Sequence, residues 1–212
     1  MVNESDAQDR FALSFTSGGL LAREALVVAS IYLACHDWQA SRRRVVDNNV
    51  LQARTLSSNN RLARETIQRL AVLTDNEIEL LTEASLTERC HLMWAAACRR
   101  YELIGDFAEE VVRERFLLMT PTLEFEDYER FMTGKSLWHP ELDELKPSTR
   151  AKLRQNIFRM LHEAGLRGDK NNINPAVLSE RIYETLAARS PSDLRFFPTT
   201  TPITQFNNEV QQ

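Results

Sequence analysis

The stretch Ser57–Leu70, SSNNRLARETIQRL, sets three arginines behind a run of small polar residues. At 100° per residue, Leu62, Ala63, Ile67, Leu70 and, one turn on, Leu73 fall on one broad helical face. Arg61, Arg64 and Gln68 are related by three- and four-residue steps and line the opposite face, with Glu65 between them and Arg69 at the edge. Ser57 or Ser58 is the expected N-cap. Ser57 to Asn60 occupy the first turn, where amides and small polar side chains can hydrogen-bond phosphate. Such a helix is either a solvated face or a surface for a polyanion.

Working outward, charge is segregated along the 212 residues. From Trp38 to Leu70 seven arginines stand against Asp47 and Glu65, a local charge of +5. Thr74 to Pro147 carries eight basic and seventeen acidic residues, a charge of −9. Ser148 to Lys170 sets six basic residues against Glu163 and Asp169, giving +4. The total of −4 hides this asymmetry, which is the informative quantity.

The same outward reading gives a mainly α fold. Six glycines and seven prolines leave long stretches free of both. After Gly18-Gly19, LLAREALVVASIYLACHD repeats apolar residues at helical spacing. Asp37 is the expected N-cap of a second helix, WQASRRRVVDNN, which Asn48 and Asn49 end. With the Ser57 helix, residues 38–73 have the length of a helix-turn-helix-like segment, although the connector exceeds the tightest turn. Helices are then expected over DNEIELLTEA, LTERCHLMWAAACRRYELI and DFAEEVVRERFLLM, the last stopped at Thr120-Pro121. Trp94, Trp138 and Tyr101 are expected in the core.

Residues 1–118 are therefore expected to form an N-terminal helical domain and 119–198 a winged-helix-like C-terminal one, with a flexible tail over 199–212. In the second part, helices interrupted at Gly134 and Pro140 precede a basic helix that starts at Pro147-Ser148 and ends at Gly165. A small β-hairpin wing with its turn near Gly168–Asn172 and a last helix over 176–189 follow. From Ser190 the Pro, Thr, Asn and Gln content predicts extended or disordered chain.

On the second basic helix, Leu153, Ile157, Met160, Leu161 and Ala164 make the apolar face. Lys152, Gln155, Asn156 and Arg159 lie opposite, with Arg150 and Arg154 at the flanks. Arg, Gln and Asn can pair with base edges in the major groove, and the remaining polar groups suit phosphates. An ordinary solvated helix mixes signs at four-residue spacing, whereas these two faces crowd like charges. The expected DNA-binding residues are thus Arg42, Arg43, Arg44, Arg54, Ser58, Asn60, Arg61, Arg64 and Gln68 in the first patch. Arg150, Lys152, Arg154, Gln155, Arg159 and Lys170 form the second.

Other function classes find little support. No apolar run approaches the roughly 18 residues of a membrane span, and the acidic start MVNESDAQDR is unlike a signal peptide. Cys35, Cys90 and Cys98 are expected to be buried, reduced thiols, so the expected location is cytoplasmic. There is no phosphate-binding glycine loop, GxSxG or HExxH, and Cys35-His36 and Cys90-His91 lack the spacing that closes a zinc site. No catalytic residue, metal or cofactor is expected, and the protein is read as not an enzyme.

Several stretches resemble one family in order from about Phe11 to Pro198: FALSFTSGGLL, VLQARTLSSNNRLARETIQRL, RRYELIGDFAEEVVRERF and SLWHPELDELKPSTRAKLRQNIFRMLHEAGL. They resemble BrxA of the BREX bacteriophage-exclusion systems. The resemblance implies a mostly helical protein with helix-turn-helix or winged-helix modules that binds double-stranded DNA in phage defence. It implies no catalytic residues and assigns no DNA contacts, so the positions above rest on the helical wheels. The acidic middle segment is expected to turn away from DNA and to suit a basic partner among other BREX proteins. A structural adaptor that never touches DNA, and an RNA-binding protein, remain the alternatives.

Overall fold

In the computed structural model, which describes residues 10–15 and 18–200, helices begin and end where local hydrogen bonding dictates. After α1 (Ala22–Leu33), the Asp37 carboxylate accepts from the amides of Gln39 at 2.7 Å and Ala40 at 3.2 Å and opens α2 (Trp38–Asp47), with Asn48 as its C-cap. The third helix, α3 (Leu56–Leu70), is capped by Thr55 rather than by Ser57 or Ser58, because the Ser58 amide donates to the Thr55 hydroxyl at 3.1 Å. Reciprocal capping boxes, Thr74 with Glu77 and Ser85 with Glu88, start α4 (Asp75–Glu83) and α5 (Leu86–Arg100).

Every residue of α5 from His91 to Cys98 is buried, so this helix runs through the core rather than along its edge. The continuous helix expected through Ile104 breaks at Tyr101, whose φ of −126° and ψ of 97° are extended. Helix then resumes as α6 (Glu102–Phe107), a π-helical turn (Ala108–Arg113) and α7 (Glu114–Leu117). Beyond the exposed residues 117–120, α8 (Phe125–Ser136) runs straight through Gly134, which has open space around it and interrupts nothing. A 3-10 turn at Pro140–Leu142 leads to α9 (Pro147–Glu163), with proline in its first turn. Gly165, at φ +73°, ends α9: its amide donates to His162 and the Leu166 amide to Leu161, both at 2.9 Å.

Three expectations for the C-terminal part change. Among the described residues β pairing is limited to two isolated bridges, Arg167 with Ile173 and Asn172 with Thr122, so no two-stranded wing forms. The last helix, α10 (Glu180–Ala187), starts four residues late, since the Ala176 amide is instead bonded to the Pro198 carbonyl at 3.0 Å. Residues 190–199 are not loose: Phe196 and Phe197 are buried, and Trp94 Nε1 donates to the Phe196 carbonyl at 2.9 Å. Apolar side chains outweigh the polar composition here. The expected tail from 201 to 212 lies outside the described residues.

A single apolar cluster gathers Val28, Leu70, Trp94 and Phe107 with Tyr128, Met132, Leu153, Ile157 and Phe197, and so spans both sides of residue 118. Two buried polar groups are set into it. Arg69, with no exposed surface, donates from Nε to Glu65 at 2.9 Å and from Nη1 to the Gly19 carbonyl at 2.8 Å. The Tyr101 hydroxyl donates to the same Glu65 at 2.8 Å. Arg99 joins Glu77 at 2.6 Å and Asp193 at 2.7 Å, tying α4, α5 and the C-terminal stretch together. Burial pushes the Asp193 carboxyl above its ordinary pKa, while Glu77, although burial opposes it, is held below by Arg99 and the Thr74 amide.

Removing one partner of the Glu65–Arg69 pair leaves an uncompensated buried charge. Arg69→Met is expected to cost about 3–5 kcal/mol in urea unfolding, whereas a loss below about 1 kcal/mol, the worth of an exposed pair, would show that the pair is not buried in solution. His91 supplies a pH test. Burial lowers its pKa below the ordinary 6.5, so the folded state holds it neutral. The unfolded chain gains a proton as pH falls through 6.5 and the folded chain does not, so this contribution is complete above that value and lost below it. His91→Gln should flatten the fall in unfolding free energy on acidification, measured in urea, by at most about 1.4 kcal/mol per pH unit. An unchanged slope would place the titration elsewhere.

Candidate nucleic-acid interface

Helices α1, α2 and α3 pack against one another, and specific contacts fix their relation. Ser41 and Val45, one turn apart, are fully buried, which leaves Arg42, Arg43 and Arg44 exposed around the outer side of α2. Trp38 stacks on Tyr32 with ring centroids 3.8 Å apart, and Tyr32 donates to Asp75 at 3.0 Å. Asn59, expected at a phosphate-binding turn, is instead buried and donates to the Val46 carbonyl at 2.9 Å, pinning the start of α3 to the end of α2.

The connector runs from Asn48 to Thr55, longer than the tight turn of a minimal helix-turn-helix. Asn49 clasps it, accepting from the Ala53 amide at 3.0 Å and donating to the Ala53 carbonyl at 3.1 Å. Asn49 and Gln52 take positive φ to make this possible. Arg54 is thereby held, exposed, beside the first turn of α3.

On α3 the wheel is rotated from the one drawn on apolar spacing alone. Asn59, Ala63, Thr66 and Leu70 face inward, and Glu65 and Arg69 are drawn in with them. Glu65 is therefore not between the arginines on the outer face. Arg61, Arg64 and Gln68 occupy an arc of about 60° on the opposite side, with both arginines exposed and Gln68 half-buried. Ser58 and Asn60 are also half-buried and locally bonded: Ser58 receives the Thr55 hydroxyl, and Asn60 donates to the Leu56 carbonyl. Among the described residues, Arg42, Arg43, Arg44, Arg54, Arg61 and Arg64 are exposed and enter no ion pair within 4.0 Å.

The α9 patch is differently arranged. Its apolar face is as expected, but Asn156 is buried and donates to the Phe15 carbonyl at 2.9 Å. Arg150 and Arg154 both reach Glu129 of α8, at 2.9 and 2.7 Å, and Arg159 pairs with Glu163 at 2.7 Å. Lys152, Gln155 and Lys170 stay exposed. The α9 arginines are thus matched by acids, Arg150 and Arg154 by Glu129 of α8 and Arg159 by Glu163 of α9 itself.

Two features escaped the sequence reading. Trp138 is not in the core but 83% exposed, near Leu118 and a groove of 550 Å³ between the π-helical segment and α8. Phe125 is 49% exposed although it falls in phase with the buried Tyr128 and Met132, so spacing alone assigns it to the core.

The fold and these two faces can be set beside known proteins. The BrxA family profile matches residues 9–190. The chain belongs to the BrxA family of BREX phage-defence proteins. The BREX protein BrxA of Escherichia coli O9:H4 (strain HS) is 30% identical over 148 residues, 70% of each chain. BrxA of Paramagnetospirillum magneticum is 24% identical over 159 residues, 75% of this chain and 80% of that one. The crystal structure of an uncharacterized protein from Magnetospirillum magneticum shares the fold, with a TM-score of 0.76 and 21% identity over 91% of this chain and all of the other. Among the described residues no helix is long and apolar enough to cross a membrane.

Proposed function

We propose that this BrxA-family protein is a non-enzymatic, cytoplasmic DNA-binding component of a BREX system that grips the phosphate backbone of duplex DNA with α2, α3 and the connector. The observation that carries this reading is the set of six exposed arginines, Arg42, Arg43, Arg44, Arg54, Arg61 and Arg64, none of them in an ion pair among the described residues. Crowded like charges repel, and a polyanion removes that cost. Arg61, Arg64 and Gln68 project from one side of a helix that is fixed to α2, a helix-turn-helix-like arrangement, and Ser58 and Asn60 border its first turn. Gln68 can reach a base edge, but arginines on three sides of α2 suit positioning on phosphates better than base readout. Lys152, Gln155 and Lys170, with Arg150, Arg154 and Arg159 once released from Glu129 and Glu163, would add a weaker second contact.

A second reading, assembly with other BREX proteins, is favoured by the exposed apolar residues Leu118, Met119, Leu137 and Trp138. The acids of the middle segment surround them, but Glu110, Asp106 and Asp127 already pair within the chain.

With about five phosphates neutralised, the log–log dependence of duplex affinity on salt should have a slope near −4 to −5. Arg42, Arg61 and Arg64 changed together to Ala should bring that slope to about −2 with no change in melting temperature. A flat salt response of the parent protein, or a slope untouched by the triple change, overturns the reading. Trp138→Ser tests the assembly reading separately: it should reduce co-purification with BREX proteins and leave duplex affinity within about twofold, as expected of a single exposed apolar position.

A further inference from the structure

The face of α9 that the duplex reading uses least is concave. Between α9 and the start of α8 lies a groove of 670 Å³, a size suited to a small ligand. Its aromatic wall is Phe125, set edge-on to the buried Phe158 with ring centroids 5.1 Å apart. The Arg154 guanidinium lies 4.6 Å from the Phe125 centroid and that of Arg167 lies 4.7 Å from Phe158. Lys152 and Arg159 line it with Gln155 between them in sequence, and among the described residues no carboxylate lines the groove.

This combination is specific in what it can hold. A half-exposed ring with a guanidinium over it offers a flat ring-and-guanidinium surface for stacking, which a base inside a duplex cannot use because both of its faces are covered by neighbours. Lys152 is a free ammonium, and the exposed Arg159–Glu163 pair is weak enough to exchange its carboxylate for a phosphate. Gln155 carries both a donor and an acceptor for a base edge. The Arg150–Glu129–Arg154 cluster neutralises charge behind the groove without filling it.

We propose that this groove binds one unpaired nucleobase with its phosphate, the base stacking on Phe125 and the phosphate lying between Lys152 and Arg159. The site rests on the reading of the chain as a nucleic-acid binder but uses a different face from the arginines of α2 and α3. Its ligand chemistry is shared by a base in single-stranded DNA and by a free nucleotide.

The full chain is titrated into a single-stranded oligodeoxynucleotide carrying 2-aminopurine, and separately into a labelled duplex. Stacking is expected to quench the 2-aminopurine. Phe125→Ala, and Phe125→Leu, which keeps an apolar side chain but removes the ring face, should each weaken single-strand binding about 5- to 100-fold. Phe125→Trp should retain it, and duplex binding should be unchanged in all three. The Arg42/Arg61/Arg64 triple change should weaken duplex binding and leave the 2-aminopurine quenching at saturation, and its dependence on Phe125, in place. Displacement of the oligonucleotide by dAMP assigns the site to free nucleotides, and no displacement assigns it to a base within a strand. Absence of quenching, or single-strand affinity unchanged in folded Phe125→Leu, overturns the proposal. Quenching without any duplex binding overturns the duplex reading alone.

Discussion

The buried pair of Glu65 and Arg69 is the constraint on which the arrangement of the helices depends. Two charges one turn apart on α3 are removed from water, with Tyr101 and the Gly19 carbonyl as their further partners. Such a pair adds little net stability against an apolar substitute, because desolvation offsets the attraction. Its value is directional. Its hydrogen bonds outside α3 reach two other segments, at Gly19 and Tyr101, so α3 has one rotation in which Glu65 and Arg69 both find these partners. That rotation turns Arg61, Arg64 and Gln68 outward together. It also explains the break between α5 and α6: the Tyr101 side chain is fully buried with its hydroxyl on Glu65, and the backbone there is extended rather than helical.

Charge that is segregated along the chain is redistributed in space. The acidic middle segment pairs much of its charge with itself, Asp127 with Arg115 and Arg130, and Lys135 with Asp106 and Glu110. It also supplies Glu129, which holds Arg150 and Arg154 of the second basic stretch. The first basic stretch receives no such partner. Two helices with similar composition therefore differ in available charge, because α9 packs beside an acid of α8, whereas the arginines on the outer faces of α2 and α3 meet no acid among the described residues.

Helix existence was legible in the sequence because apolar spacing and capping chemistry act locally. Asp37, Asn48 and Gly165 mark boundaries through hydrogen bonds within a few residues, and Pro147 through its missing amide donor. What the sequence concealed depends on distant partners. Glu65 and Arg69, at four-residue spacing, have the pattern of an ordinary surface pair, and only the Tyr101 hydroxyl and the Gly19 carbonyl make their burial tolerable. Asn59 and Asn156 look like polar surface, yet each is buried and donates to a backbone carbonyl of a distant segment, Val46 and Phe15. Phe196 and Phe197 lie in a stretch rich in Pro, Ser and Thr, whose average polarity masks two anchors. The candidate DNA face was legible in part: Arg61, Arg64 and Gln68 follow from spacing, whereas the pairing of Arg150 and Arg154 with the distant Glu129 does not.

On the proposed reading, the two basic faces would do different work for a physical reason. Arg42, Arg43 and Arg44 stand at 100° steps, so no single groove floor can meet all three, but phosphates on two sides of a groove can. Charge without matched acceptors favours any polyanion and discriminates little among sequences. The α9 groove has the reverse character. Much of its charge is already matched, and its distinguishing surface is a ring, which attracts a flat apolar face rather than charge alone. A protein with both surfaces can hold a duplex by its backbone and, separately, retain a base that has left it.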